Sequence, residues 1–292
     1  MTSERYLAKQ AWPDINDTVA EKPVVLIPAG TFEDHGLHLP IDTDIVIARA
    51  MCEEALASST VPCVIGPDIS LGYSPHHIDG PGTITIRWDV FVNYVRDVLQ
   101  SLIYHGFYKI LIVNGHGSNA SPLDLAARLA NVANPDARCA VISWWELNDV
   151  GTTVAEFRDS TWTGHACELE TSLYMALDLE RVHTDRFRAD DASPKTRHVW
   201  ADLVGQAPEG YARNPIHLTE YWSSVSETGT WGDPAVSSVE KGKLILSAAG
   251  KELAEIAAEL RSRVAVPREA HQLPEVALRN ERHFGAAPSF LS

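Results

Sequence analysis

Six side chains able to bind a cation or move a proton fall within twelve residues, Glu33-Asp34-His35-Gly36-Leu37-His38-Leu39-Pro40-Ile41-Asp42-Thr43-Asp44, directly after an apolar run. No Lys or Arg interrupts them, so carboxylate oxygens and imidazole nitrogens are concentrated as a divalent cation requires. Two later clusters repeat the pattern. Asn114-Gly115-His116-Gly117-Ser118-Asn119 follows the apolar run Ile110 to Val113, and His165-Ala166-Cys167-Glu168-Leu169-Glu170-Thr171-Ser172 lies at a boundary between predicted elements.

Glu33 and His35 alternate along an extended segment, so both can face one point. Asp44 falls in the first turn of the next predicted helix, His116 in the loop after another strand, and Glu168 at the start of a helix continued by Thr171, Leu173, Met175 and Leu177. These five mixed ligands exceed what one tetrahedral zinc needs but suit two ions sharing a bridging carboxylate. Two such ions bring a bridging water toward a neutral pKa and hold a carbonyl, so hydrolysis needs no protein nucleophile. His165 is placed to act as the acid or base that serves the leaving nitrogen, its alternative being a structural histidine. His38 fits a supporting partner of a metal-bound carboxylate better than a ligand. Cys167 reads as packing, because a thiol nucleophile would leave the Glu33 to Asp44 cluster without a purpose.

The elements that must position these residues alternate. Val24 to Pro28 reads as a strand, and a helix capped by Asp42 or Thr43 runs from Asp44 to about Ser58. A second unit opens with Thr83 to Arg87, continues as an amphipathic helix from Trp88 to Tyr104 and turns at Gly106 into the strand Lys109 to Val113. Ser121 and Pro122 resemble the cap and first turn of a helix reaching about Ala133, and Cys139 to Trp144 forms the next strand. This alternation predicts an α/β fold, a three-layer α/β/α sandwich with a mostly parallel sheet. Ligands then bind beyond the carboxyl ends of the strands, where the three clusters would converge. The whole chain, 1–292, reads as one domain with a core of about 20–265, a loop-rich site wall at 181–232, a long helix from Val236 to about Val264 and a tail at 267–292. Trp162 and Trp222, with Trp144, Trp145, Tyr221 and Trp231, could wall a pocket for a flat ring; His76 and His77 fit either its mouth or the surface.

The 292 residues are 45% apolar, enough for a large core, and the formal charge of -15 opposes general affinity for nucleic acid or anionic membranes. No run approaches the ~18 apolar residues of a membrane helix. Cys52, Cys63, Cys139 and Cys167 are scattered, and the chain starts without an apolar leader, which together fit a reducing cytoplasm. A small molecule is the expected partner.

The stretch from Pro28 to Pro40 with Thr43-Asp44 resembles the opening motif of the creatininase (creatinine amidohydrolase) family. Gly80-Pro81-Gly82-Thr83, Asn114 to Asn119, His165 to Ser172, Gly232-Asp233-Pro234 and Glu240-Lys241-Gly242 are similar to its later signatures, in order, over about residues 20 to 260. The resemblance implies a metal-dependent hydrolase of creatininase-like fold that assembles into homo-oligomers, often hexamers. Two ions, zinc or manganese with ferrous iron as a further candidate, would be held by Glu33 and His116 on one side and His35 and Glu168 on the other, bridged by Asp44, with His165 transferring the proton. Creatinine-hydrolysing members resemble Asn-Gly-His-x-Glu-Asn, whereas Ser118 stands in the acid's place here, a form more similar to the deformylase, peptide-trimming and diketone-opening branches. The expected reaction is cleavage of a C–N bond in a small cyclic amide or formamide by metal-activated hydroxide. The alternatives are ring opening of a cyclic ketone at a C–C bond, and a non-catalytic metal-binding protein.

Overall fold

In the computed structural model, which describes residues 4–191, 195–205, 209–213, 216–266, 271, 273, 275 and 276, four parallel strands carry the site. They are β1 (Val24–Ala29), β2 (Cys63–Ile65), β3 (Lys109–Asn114) and β4 (Arg138–Ser143), in the order β2-β1-β3-β4. Both faces of the sheet are buried, and this is why the strands read as continuous apolar runs rather than as alternating ones. Val24, Leu26, Leu111 and Val113 enter one core cluster, and Val25, Ile27, Ile110 and Ile112 enter the other. A one-residue slip of any strand would exchange these sets, so packing on both sides defines the register.

Helices α1 (Trp12–Ala20), α3 (Trp88–Tyr104) and α4 (Ala120–Ala133) cover one face. Phe91, Val95, Leu99 and Ile103, spaced four apart along α3, are all buried there. Helices α2 (Thr43–Ser58), α5 (Asn148–Phe157), α6 (Glu168–Asp178) and α8 (Val239–Ser262) cover the other face. The three-layer α/β/α sandwich is therefore present. A small antiparallel pair, β5 (Thr163–His165) with β6 (Trp231–Gly232), stands beside it, and the one-turn helix α7 (Trp222–Val225) precedes β6. Among the described residues no helix is long and apolar enough to cross a membrane.

Several boundaries differ from the sequence reading. Thr83 to Arg87 forms no strand; Ile84 and Thr85 make single bridges to Phe32 and Gly72 and so pack against the site loop instead of the sheet. The second strand is Cys63–Ile65, three residues too few to show a period. Helix α8 begins at Val239 rather than Val236, because Pro234–Val236 forms a separate turn and the Ser238 side chain caps the new helix by accepting from Lys241 N. The 267–292 tail lies outside the described residues apart from His271, Leu273, Glu275 and Val276.

The chain passes from β1 through α2 to β2 on one side of β1, then returns to place β3 on the other side. Such a switch point opens a crevice beyond the strand ends. Gly30 and Gly115 follow β1 and β3 there and admit the first turn of α2 against the sheet. A Cβ at Gly30 would stand 2.5 Å from Ile45 N, and one at Gly115 2.4 Å from Asp44 O. Both contacts are with backbone, so the helix itself would have to move. Gly115→Ala is expected to lower stability by about 1–3 kcal/mol, the usual cost of overpacking; an unchanged urea midpoint would show that α2 can withdraw freely.

Candidate metal centre

The loop after β1 folds back on itself, Glu33 N donating to Ile41 O at 3.0 Å and Leu39 N to His35 O at 3.3 Å, with Gly36 at φ 61 making the reversal. It carries Glu33 and His35 to the mouth of the crevice, where α2 supplies Asp44 and the loop after β3 supplies His116. All four side chains are buried. Asp44 stands between two imidazoles, Oδ1 lying 3.0 Å from His35 Nε2 and Oδ2 3.2 Å from His116 Nδ1, while Glu33 Oε1 is 3.1 Å from that second nitrogen.

The outer nitrogens show what the inner ones are arranged for. His35 Nδ1 faces Glu33 O at 3.2 Å, His116 Nε2 faces Tyr73 O at 3.2 Å, and His165 Nε2 faces Asp34 O at 2.7 Å. A carbonyl only accepts, so each ring donates outward and turns its other nitrogen toward the cluster, the usual support of a metal-binding histidine. His35 Nε2 and Asp44 Oδ2 are buried and complete no hydrogen bond despite their close neighbours. Glu33, His35 and Asp44 present ligand atoms that all lie within 4.8 Å of one another, as do His35, His165 and Glu170, and Glu33, His77 and His165. Carboxylate oxygens and imidazole nitrogens at these separations fit divalent zinc or manganese.

Glu168 is not brought into this group. Its carboxylate is fully buried elsewhere, accepting from Ser160 N at 2.8 Å, Asp159 N at 3.2 Å and Lys241 Nζ at 2.6 Å. Residues two apart on a helix point roughly 200° away from each other, so α6 can turn only one of Glu168 and Glu170 inward. Glu170 takes the inward place, with Oε1 4.0 Å from His35 Nε2 and Oε2 accepting from Ala166 N at 2.6 Å. Ala166 itself is held at φ 47, a conformation costly for a residue with a Cβ.

The other singled-out residues divide. His165 reaches the cluster, with Nδ1 3.8 Å from Glu33 Oε1. His38 meets no carboxylate; its Nε2 lies 2.9 Å from Thr171 Oγ1, whose hydroxyl donates to Ala166 O at 3.4 Å, so His38 braces the strained turn. Ser118 is half-buried with Oγ 3.4 Å from His76 Nε2. Trp222 roofs the site, stacked on His77 at 4.9 Å and edge-on to His165 at 5.0 Å. Trp162 packs behind the wall against Tyr211 and Trp200. Outside the roof a cavity of about 550 Å³ is lined by residues from Lys195 to Trp231, Trp200, Trp222 and Trp231 among them, together with His76. Sequence reasoning passed over Glu170 and left His77 between the pocket mouth and the surface. The available signals were a second acid within the same motif and a histidine just before the Gly-Pro-Gly turn.

Charge is balanced by protons in the absence of a cation. Burial opposes charge on His35 and His116, yet the Asp44 carboxylate beside the first and Glu33 and Asp44 beside the second raise each to about 10. Burial pushes Glu33 upward, but His116 outweighs it and holds its carboxyl well below the usual range. Burial raises Glu170 to about 7 against the pull of His35. Burial, then the charge of His35, lowers His165, and burial lowers His38 and His76 to about 4. Burial likewise pushes the Cys167 thiol up, away from nucleophilic use.

Sheet, switch point and buried carboxylate–imidazole cluster together define an α/β protein with a candidate binuclear centre. The profile of the creatininase family, described as creatinine amidohydrolase, matches residues 8–257, and the chain belongs to that family of hydrolases. It is 26% identical over 261 residues to a creatinine amidohydrolase of Pseudomonas putida, covering 84% of this chain and 93% of the relative. It is 27% identical over 254 residues to a 3-dehydro-scyllo-inosose hydrolase of Thermotoga maritima (82% and 78%), and 28% identical over 233 residues to a mycofactocin precursor peptide peptidase of Mycolicibacterium smegmatis (77% and 80%). A crystal structure of creatininase superimposes with a TM-score of 0.74 at 21% identity over 90% of this chain and 100% of that one. Related creatininase structures include a manganese form and a mutant of Zn-Zn type, each with a TM-score of 0.73 at 22% identity, covering 89% and 90% of this chain and 100% of theirs.

The two raised imidazoles contribute stability that is complete below about pH 6.5 and lost as pH rises through about 10; Glu170 contributes stability that is complete below about pH 4.5 and already lost once pH has risen through about 7. His38 and His76, lowered to about 4, contribute stability present above about pH 6.5 and lost as pH falls through about 4. The Tm of chelator-treated protein is therefore expected to peak near about pH 6, and zinc or manganese should remove the alkaline decline by replacing the protons. A metal-free Tm that climbs steadily from pH 7 to 10 would contradict this charge balance.

Proposed function

We propose that this protein is a metal-dependent hydrolase that holds two divalent cations, zinc or manganese, and cleaves the C–N bond of a small cyclic amide or formamide. The observation that carries this reading is the placement of Asp44, with one oxygen beside His35 and the other beside His116, as a carboxylate shared between two ions would stand. Glu33, Asp44 and His116 would hold one ion, and His35, Asp44 and Glu170 the other. When bound, such a pair supplies Lewis acidity toward a carbonyl oxygen and lowers the pKa of water.

This chain's own residues supply the rest. His165 donates outward from Nε2 to Asp34 O, so its Nδ1 lone pair faces the centre and can take a proton and return it to the leaving nitrogen. Ser74 donates to Glu33 Oε2, leaving Oε1 directed at the imidazoles. Trp222 covers His77 and His165 and excludes bulk water, and the adjoining cavity takes the remainder of the substrate. The C–N preference is supported by two of the relatives, an amidohydrolase and a peptidase; the inosose hydrolase marks the other branch.

Elemental analysis should find about two ions per chain in protein purified without chelator. Amine or ammonia and formate release, followed across cyclic amides, formamides and cyclic diketones, then reports the bond. Ring opening without nitrogen release would move the protein to C–C cleavage, and absence of bound metal would sink the mechanism. Asp44→Ala should lose both ions and Glu170→Ala one, while His38→Ala keeps at least one. His165→Ala should keep metal and lose turnover, by roughly 10²–10⁴-fold; equal metal loss in Asp44→Ala and His38→Ala would reject the bridging assignment.

A further inference from the structure

Asp34, between the two residues Glu33 and His35, takes no part in the cluster, yet three segments, 77–83, the strand holding His165 and the turn at Gly229, close on it. Its amide donates to Thr83 Oγ1 at 3.2 Å, and its carboxylate is cradled by two glycines: a Cβ at Gly80 would meet Oδ1 at 2.2 Å and one at Gly229 would meet Oδ2 at 2.9 Å. His77 Nδ1 lies 3.0 Å from Oδ1, and His165 Nε2 lies 2.7 Å from the Asp34 carbonyl. One residue thus binds both imidazoles, one through its side chain and one through its backbone. A carboxylate and a carbonyl both accept here, so each ring donates outward. The opposite nitrogens, His77 Nε2 and His165 Nδ1, then face inward as lone pairs, each 3.8 Å from Glu33 Oε1. The rings are 4.5 Å apart, and Trp222 lies over both.

We propose that His77 is a second substrate-facing imidazole, positioned by Asp34, and that the His77–His165 pair accepts hydrogen bonds from a substrate nitrogen that carries hydrogens. The substrate class is accordingly an N–H amide or formamide, since N,N-disubstituted amides offer nothing to two acceptors. This deepens the hydrolase reading and rests on it. A donor in place of His77 Nε2 would have suited the carbonyl oxygen; with Nδ1–H held by the Asp34 carboxylate, the neutral ring presents Nε2 as an acceptor. His77 and His165 also differ in how they are held, so the two arms can be separated: Asp34→Ala frees His77 while its carbonyl still binds His165.

The first test needs no turnover. Long-range ¹H–¹⁵N correlation spectra of metal-free protein should show His77 locked as the Nδ1–H tautomer, and that lock should vanish in Asp34→Ala while the His165 signals stay in place. In metal-loaded protein, His77→Ala and Asp34→Ala should retain both ions and lose kcat/KM by roughly 10–100-fold, the usual cost of removing such a partner. His77→Gln, which keeps a polar group near the Nε2 position, should recover part of the loss. Replacing the substrate N–H by N–CH₃ should cost the wild type roughly tenfold, one hydrogen bond's worth, and cost His77→Ala little. Loss of an ion from His77→Ala would overturn the proposal by making His77 a ligand, and equal methylation penalties in wild type and variant would overturn the substrate assignment. If wild-type protein neither binds metal nor hydrolyses any amide, the hydrolase reading itself fails, a result the two preceding outcomes do not resemble.

Discussion

Three carboxylates and four imidazoles buried within a few ångströms of one another impose a constraint on everything around them. Charges removed from water are tolerated only when each is paired and its remaining donors and acceptors are filled. Here the filling comes from backbone carbonyls of Glu33, Asp34 and Tyr73 and from the Asp34 carboxylate, which occupy the outer nitrogens of His35, His165, His116 and His77. The inner atoms are left converging on one space that a cation, or failing that a proton, must neutralise. The return of the loop at Gly36 and the seating of α2 on Gly30 and Gly115 serve that convergence, because the first brings Glu33 and His35 together and the second brings Asp44 between two histidines.

The same constraint explains the division of labour at the start of α6. Glu168 is as buried as any residue of the centre, yet it is charge-paired with Lys241 from α8 and bound by two amides of the segment entering β5. It ties together the loop before β5, α6 and α8, and so holds the frame from which Glu170 reaches His35. Removing one member of such a buried pair leaves an uncompensated charge, which is why its contribution is to architecture rather than to surface electrostatics. Ala166, in a left-handed conformation and braced by Thr171 and His38, is the strained turn that lets His165 and Glu170 approach the same point from a strand and a helix.

Above the centre the wall is aromatic. Trp231 and Trp222 stack at 5.9 Å, and Trp222 in turn covers His77. The wall is fastened from behind by Arg158, whose guanidinium grips Asp202 with bonds of 3.0 and 2.6 Å, and by Trp200 Nε1 donating to Ala212 O at 2.9 Å. Pocket and candidate centre therefore share one wall, with the carboxylate–imidazole cluster beneath Trp222 and the cavity outside it.

Much of this was legible from residue types and spacing. Apolar runs ending at Gly30 and Gly115, a run of acids and histidines without a base, and four-residue periodicity in α3 are local properties, and local properties survive in a single chain. The parallel sandwich, the convergence of Glu33, His35, Asp44 and His116, and the nearness of His165 all follow from them. What tertiary structure decided is which of two neighbouring acids turns inward and which histidine outside the main motif joins the site. Glu168 and Glu170 are chemically identical, and only the presence of Lys241, 73 residues away, and of the Asp159 and Ser160 amides draws the first of them outward. His77 is distinguished from His76 by Asp34, 43 residues earlier, lying where its Nδ1 can reach, and by Trp222 stacking on its ring. Such choices are made by long-range contacts that carry no periodicity, so residue types and spacing point to the kind of centre that can form and the fold assigns its members.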